Sequence, residues 1–173
     1  MIYKQTRFRF FITVFLKLLS FLPTVLLLLL IFGFSAQNGE SSGSLSFQVS
    51  LFIVRLFSPL IPTASTEDVL VTYAEMIHLY VRKAAHMTEY FLLTLSLQLP
   101  LKAWLSRIPF WKTRIITGFA CTVILAALDE FHQTLVPGRS GNLTDVCIDS
   151  IGILAASLCL FLFHLLHQKK PAR

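Results

Sequence analysis

Residues 129–139 read Asp-Glu-Phe-His-Gln-Thr-Leu-Val-Pro-Gly-Arg and close a long apolar run. Charge is expensive at the end of such a run, so Asp129, Glu130, Gln133 and Arg139 imply something that uses or satisfies them. Two acids in a low-dielectric setting titrate apart, which suits one of them to proton transfer. A second polar group lies upstream at Arg82, Lys83, His86, Glu89 and Tyr90. Arg82, His86 and Glu89 follow helical spacing and share one face, with Tyr90 beside it. Asp145 and Asp149 form a third group on one face, and Ser35 and Gln37 a fourth. His86, Glu89, Asp129 and Glu130 are the candidates for acid–base chemistry. The candidates for ligand binding are Ser35, Gln37, Arg82, Lys83, Tyr90, Gln133, Arg139, Asp145 and Asp149, because arginine in particular presents a planar donor fork to phosphate or carboxylate. Nitrogen and oxygen metal ligands are present, but no HExxH or comparable spacing accompanies them, so neither a metal nor a cofactor is expected. No Ser or Cys stands beside an obvious base, which weakens nucleophilic catalysis.

The elements that position these residues are membrane helices. The chain of 173 residues is 55% hydrophobic and 14% charged, with mean hydropathy +0.70; a soluble domain carries about 25% charged residues. The expected fold is all-α: a polytopic bundle of about four transmembrane helices, with interfacial helices in the first outer loop. The whole of 1–173 reads as a single domain, with spans at 18–34, 84–101, 115–136 and 143–166 and an outer loop at 35–81. Within that loop, 45–60 is apolar but short of the roughly twenty residues a span needs, and Arg55 and Pro59 interrupt it, so it reads as interfacial or partly inserted. Ile61-Pro62-Thr63 breaks it, and Thr66-Glu67-Asp68 starts the next helix. Pro23 falls in the first turns of span 1, where a missing backbone donor matters least. Pro137-Gly138 makes a tight turn, and Asn142 or Thr144 caps span 4. Cys121, Cys147 and Cys159 lie in apolar segments without metal spacing and read as small core residues.

Charge sets the expected topology. The amino-terminal segment, the 102–114 linker and the tail hold eleven Lys and Arg, against four in the other loops and span ends. Both termini are therefore expected in the cytoplasm of a multi-pass cell-membrane protein. All nine acids then lie on the outer half, and the basic residues flank apolar runs as topology signals do, which argues against nucleic acid as a partner. Four span ends converge outside. Asp129 sits about seven residues from the end of its span, roughly 10 Å deep. Structural roles compete for each residue: Arg82, Lys83 and Arg139 pair with acids to hold the bundle together, Ser35 and Gln37 cap span 1, and Gly152 with Ala156 packs helices.

The residues resemble those of the VanZ-like family of small bacterial membrane proteins. The shared blocks are Phe34-Ser35-Ala36-Gln37 with Ser41-Ser42, then Arg82-Lys83-Ala84-Ala85-His86-Met87-Thr88-Glu89-Tyr90. Asp129-Glu130-Phe131-His132-Gln133, Pro137-Gly138-Arg139, Asp145-Val146 and Asp149-Ser150-Ile151-Gly152 complete them. The founding member is linked to resistance to the glycopeptide teicoplanin, so the resemblance implies an antibiotic-resistance role at the cell envelope. The expected partners are membrane lipid and a lipid-linked envelope precursor or glycopeptide. Three readings stand: a site that binds or modifies an envelope component, a membrane enzyme acting on an envelope-lipid headgroup, and a structural or assembly protein. Reporter fusions at residues 60, 108, 140 and 173 should read outside, inside, outside and inside; a cytoplasmic signal at 140 contradicts the outward site.

Overall fold

The computed structural model describes residues 2–60, 66–105 and 110–168. The Ile61-Pro62-Thr63 break, Arg107 of the linker and the basic tail from Lys169 lie outside the described residues. The order is α1 (Ile2–Leu19), α2 (Leu22–Ser35), α3 (Gly39–Phe57) with a short 3₁₀ turn at Ser58–Leu60, α4 (Glu67–Trp104), α5 (Trp111–Gln133) and α6 (Leu143–Gln168). There is no strand among the described residues.

Local chemistry sets the boundaries. Pro23 has no N–H to offer the carbonyl of Leu19, so α1 ends there and α2 begins at Leu22 with Pro23 in its first turn. The expected first span is thus a helix pair, inside an apolar stretch from Arg9 to Ser35. The Asn38 side chain accepts the Ser41 N–H at 2.8 Å and starts α3. Asn142 does the same for Asp145 at 3.0 Å and starts α6. Thr66 occupies the N-cap of α4, whose first turn carries Glu67 and Asp68. The Pro137-Gly138 turn closes with Arg139 N–H donating to the Val136 carbonyl at 3.2 Å, and Gly138 adopts a φ of 73° that glycine supplies without steric cost.

The second half of α4 packs among α2, α5 and α6, and its first half runs against α3. At 38 residues and 1.5 Å per residue, α4 is about 57 Å long, well beyond a hydrocarbon core of roughly 30 Å. The core joins Ile31, Tyr90, Leu93, Ala126 and Ile153 from α2, α4, α5 and α6. α3 turns Ser42, Ser46, Ser50 and Val54 inward and leaves Leu45, Val49, Phe52 and Leu56 exposed. Arg55 and Glu67 pair where the α3–α4 hairpin closes.

Two sequence expectations meet a different arrangement. By length and hydropathy, Gly39–Leu60 is apolar enough to cross a membrane, together with Arg9–Ser35, Trp111–Gln133 and Leu143–His167, whereas α4 does not reach that threshold. The polar residues that α4 contributes to the bundle lower its hydropathy, and the exposed face of α3 raises the value there. The three cysteines are exposed and unbridged; they stand on helix faces turned away from the bundle and are not core residues.

Gly152 is buried where α6 crosses α4, and a Cβ built on it would lie 2.1 Å from the Met87 carbonyl oxygen. Ala156, one turn on, is fully buried, so the small pair packs helices as its spacing implies. Gly152→Val must separate α4 from α6. It should lower the melting temperature in detergent by the equivalent of about 1–3 kcal/mol, and an unchanged melting curve contradicts this packing.

Candidate functional site

The polar groups of α2, α4, α5 and α6 meet at one end of the bundle, with the 134–142 loop folded over them. Asp129 is fully buried. Its Oδ2 accepts the Ser35 hydroxyl at 2.8 Å and the Gln133 side-chain amide at 3.1 Å. The same amide nitrogen lies 3.1 Å from Glu130 Oε1 and 3.5 Å from Ser35 Oγ. The other end of Gln133 accepts a hydrogen bond from Arg139 Nη1 at 3.1 Å, and Arg139 Nη2 donates to the Phe34 carbonyl at 3.2 Å. Glu130 Oε2 accepts the Asn142 backbone N–H at 3.1 Å. A close backbone approach fixes the loop itself: Gly39 N–H donates to the Pro137 carbonyl at 3.1 Å, and a Cβ on Gly39 would lie 1.9 Å from the Gly138 oxygen.

Beside this network is a cavity of about 230 Å³ whose wall includes Arg82, Lys83, His86, Glu130, Arg139 and Asp149. Lys83 Nζ is 2.6 Å from Asp145 Oδ1, and Asp145 Oδ2 accepts the Asn142 amide at 2.9 Å. His86 Nδ1 is 3.4 Å from Glu89 Oε2, without the alignment of a hydrogen bond, so both atoms are buried and unpartnered. Asp149 Oδ2 and Arg139 Nε are buried and unpartnered as well, while the Tyr90 hydroxyl lies against Asp129. Among the described residues the ion pairs are Arg55–Glu67, Lys83–Asp145 and the His86–Glu89 contact; neither Arg82 nor Arg139 has a carboxylate partner. Burial draws the Arg139 guanidinium below its ordinary pKa, nearby Arg82 adds to this, and Asp129, Glu130 and Glu89 oppose it.

The sequence-derived candidates divide by position. Ser35, Asp129, Glu130, Gln133 and Arg139 form one hydrogen-bonded network. Arg82, Lys83, His86, Asp145 and Asp149 line the cavity together with Glu130, Gln133 and Arg139. Tyr90 lies below in the core, fully buried. Gln37 and Glu89 stand instead on an adjacent groove of about 140 Å³, whose wall also includes Leu45 and Val49 of α3 and Val81 of α4. Asn142 serves the site beyond its capping role, because its backbone and side chain hold Glu130 and Asp145; its place between the turn and Asp145 is a signal a reader could use. The α3 wall had no sequence signal beyond amphipathic spacing. Among the described residues no group of three or more His, Cys, Asp or Glu is arranged to hold a metal ion.

Comparison with known proteins gives one match: the VanZ/LLP1 family model covers residues 5–164. No curated protein and no solved structure matches.

Gln133 joins Asp129, Glu130 and Arg139, so Gln133→Leu leaves two carboxylates and a guanidinium each short of a partner. The substitution should cost roughly 1–3 kcal/mol per buried group left unsatisfied, read as a fall in thermal stability. A variant as stable as the parent would show that water replaces the network at no cost.

Proposed function

Because the chain belongs to the VanZ/LLP1 family, we propose that it is a multi-pass cell-membrane protein whose polar cavity faces outward and binds an anionic group of a cell-envelope component, contributing to teicoplanin-type glycopeptide resistance. In this reading α2, the second half of α4, α5 and α6 cross the membrane and both termini are cytoplasmic, as the distribution of Lys and Arg favours. The observation that carries the reading is the contrast between the cations on the cavity wall. Lys83 is neutralised by Asp145. Arg139 is held by two neutral acceptors, Gln133 and Phe34, and Arg82 has no ion pair. Two guanidinium groups on one wall, neither ion-paired to the carboxylates that share it, are favourable once an anion lies between them. Holding Arg139 through an amide and a carbonyl fixes its direction without cancelling its charge.

The ligand chemistry fits a lipid-linked envelope precursor, and equally the anionic groups of a lipophilic glycopeptide. In a host made teicoplanin-tolerant by this protein, Arg82→Ala and Arg139→Ala should each abolish the tolerance while the protein stays in the membrane at its normal level. Full tolerance with a folded alanine variant contradicts the reading.

A second reading, a membrane enzyme acting on an envelope-lipid headgroup, rests on the unpartnered His86 Nδ1 and Asp149 Oδ2 on the cavity wall. Glu130 already accepts two hydrogen bonds and Asp129 is sealed beneath the cavity, so the cavity-lining groups left with an unpartnered atom are His86 and Asp149, and proton transfer to either needs the bound headgroup to open the side chains that bury it. Under this reading Asp149→Asn stops turnover of an envelope-lipid panel and leaves headgroup binding intact; equal turnover by parent and variant rejects it.

A further inference from the structure

We infer that the ligand is an amphiphile, a phosphate ester with a hydroxylated head in the polar cavity and one hydrocarbon chain in the groove between α3 and α4. This deepens the reading given under Proposed function and rests on it.

Cavity and groove adjoin. They share Arg82, His86 and Arg139 as a common wall, so a molecule seated against the two guanidinium groups reaches both. Their chemistry differs sharply. The cavity wall carries the unpaired guanidinium groups and two unpartnered acceptors, Asp149 Oδ2 and His86 Nδ1. A phosphate satisfies the first; the second are buried, and hydroxyl groups on the same head reach them only as the side chains around them shift. The groove beyond carries Leu45, Val49, Val81 and Ala85, with Gln37 and Glu89 also on its wall; a chain has apolar contact along the first four.

The groove also opens in the right direction. Leu45 and Val49 begin the exposed apolar stripe of α3 that continues through Phe52 and Leu56. A chain leaving the groove along α3 therefore stays on apolar surface until it joins the lipid phase. The polar Ser42, Ser46 and Ser50 present no obstacle: Ser46 and Ser50 each donate to a carbonyl one turn back on α3, and Ser42 is buried against α4. α3 touches little of the protein besides α4, so its position against the bundle end is what forms the groove.

The test uses the full chain reconstituted in phosphatidylcholine vesicles doped with a phosphatidylglycerol that carries a diazirine on one acyl chain, with glycerol 3-phosphate as a head-only probe. After irradiation, labelled residues should concentrate on 45–49 of α3 and 81–85 of α4, and a diazirine phosphatidylcholine should not enrich there. Arg139→Ala should weaken that enrichment by about tenfold and weaken glycerol 3-phosphate binding with it. Val49→Trp, at an exposed position that tolerates bulk, should remove the α3 and α4 labels while glycerol 3-phosphate still binds as in the parent. If the head-only probe binds in an Arg139-dependent way but labels spread evenly over lipid-facing α5 and α6, the chain site is wrong and the anion cavity stands. If neither probe responds to Arg139→Ala, both readings fall.

Discussion

A fully buried carboxylate, Asp129, determines how this bundle closes. A charge or a polar acid at that depth requires donors from the protein, and they include the Ser35 hydroxyl at the end of α2 and the Gln133 amide one turn along α5. Gln133 then uses its oxygen to hold Arg139, which reaches back to the Phe34 carbonyl. The end of α2, the end of α5 and the following loop are thereby joined in one ring of hydrogen bonds. The Phe34 carbonyl in the last turn of α2 already accepts the Gln37 N–H, and Arg139 adds a second donor to it while anchoring the loop that roofs the cavity. Asn142 continues the pattern, its N–H meeting Glu130 and its side chain opening α6. Tyr90, Leu93, Ile31, Ala126 and Ile153 fill the space beneath, so the polar layer rests on a packed apolar floor.

The charge economy of the site follows from the same arrangement. Acids outnumber cations in the layer, yet neither arginine of the cavity wall pairs with a carboxylate: three of the acids have other partners, and Asp149 and Glu89 each keep an unpartnered oxygen. Asp145 goes to Lys83, Glu130 to Asn142 and Gln133, and Asp129 to Ser35 and Gln133. What is left on the wall is a pair of guanidinium groups with hydrogen-bond acceptors opposite. The lysine of the wall is ion-paired and the two arginines are not. Tight binding by such a pair needs a multivalent acceptor such as phosphate, whose oxygens meet both donor forks.

Much of this was legible in the sequence, because membrane helices leave strong signals. An ionisable residue inside an apolar run marks the interior, and helical spacing alone groups Arg82, His86 and Glu89. The caps at Thr66 and Asn142 and the turn at Pro137-Gly138 follow from local rules that tertiary context did not overrule. The remainder depended on contacts between elements far apart in the chain. Nothing in the spacing of Gln37 and Glu89 says that they face a groove and not the cavity, because that depends on where α3 docks. The sequence reading takes 84–101 as a span and 45–60 as interfacial, whereas by length and hydropathy Gly39–Leu60 qualifies and α4 does not: a helix rich in polar interior contacts scores low, and one with an exposed apolar stripe scores high. The cysteines show the same limit. In a lipid-facing protein, exposed positions are as apolar as core ones, so an apolar neighbourhood does not identify the interior.

The central claim is that Arg82 and Arg139 keep their charge for an anionic envelope ligand. Native mass spectrometry of the protein extracted from its own membrane tests it most directly. The account predicts that the parent retains one phosphate-bearing anionic lipid and that the Arg82→Ala, Arg139→Ala double variant, still folded, retains none. Equal retention by parent and variant, or a preference for zwitterionic lipid in both, would contradict it.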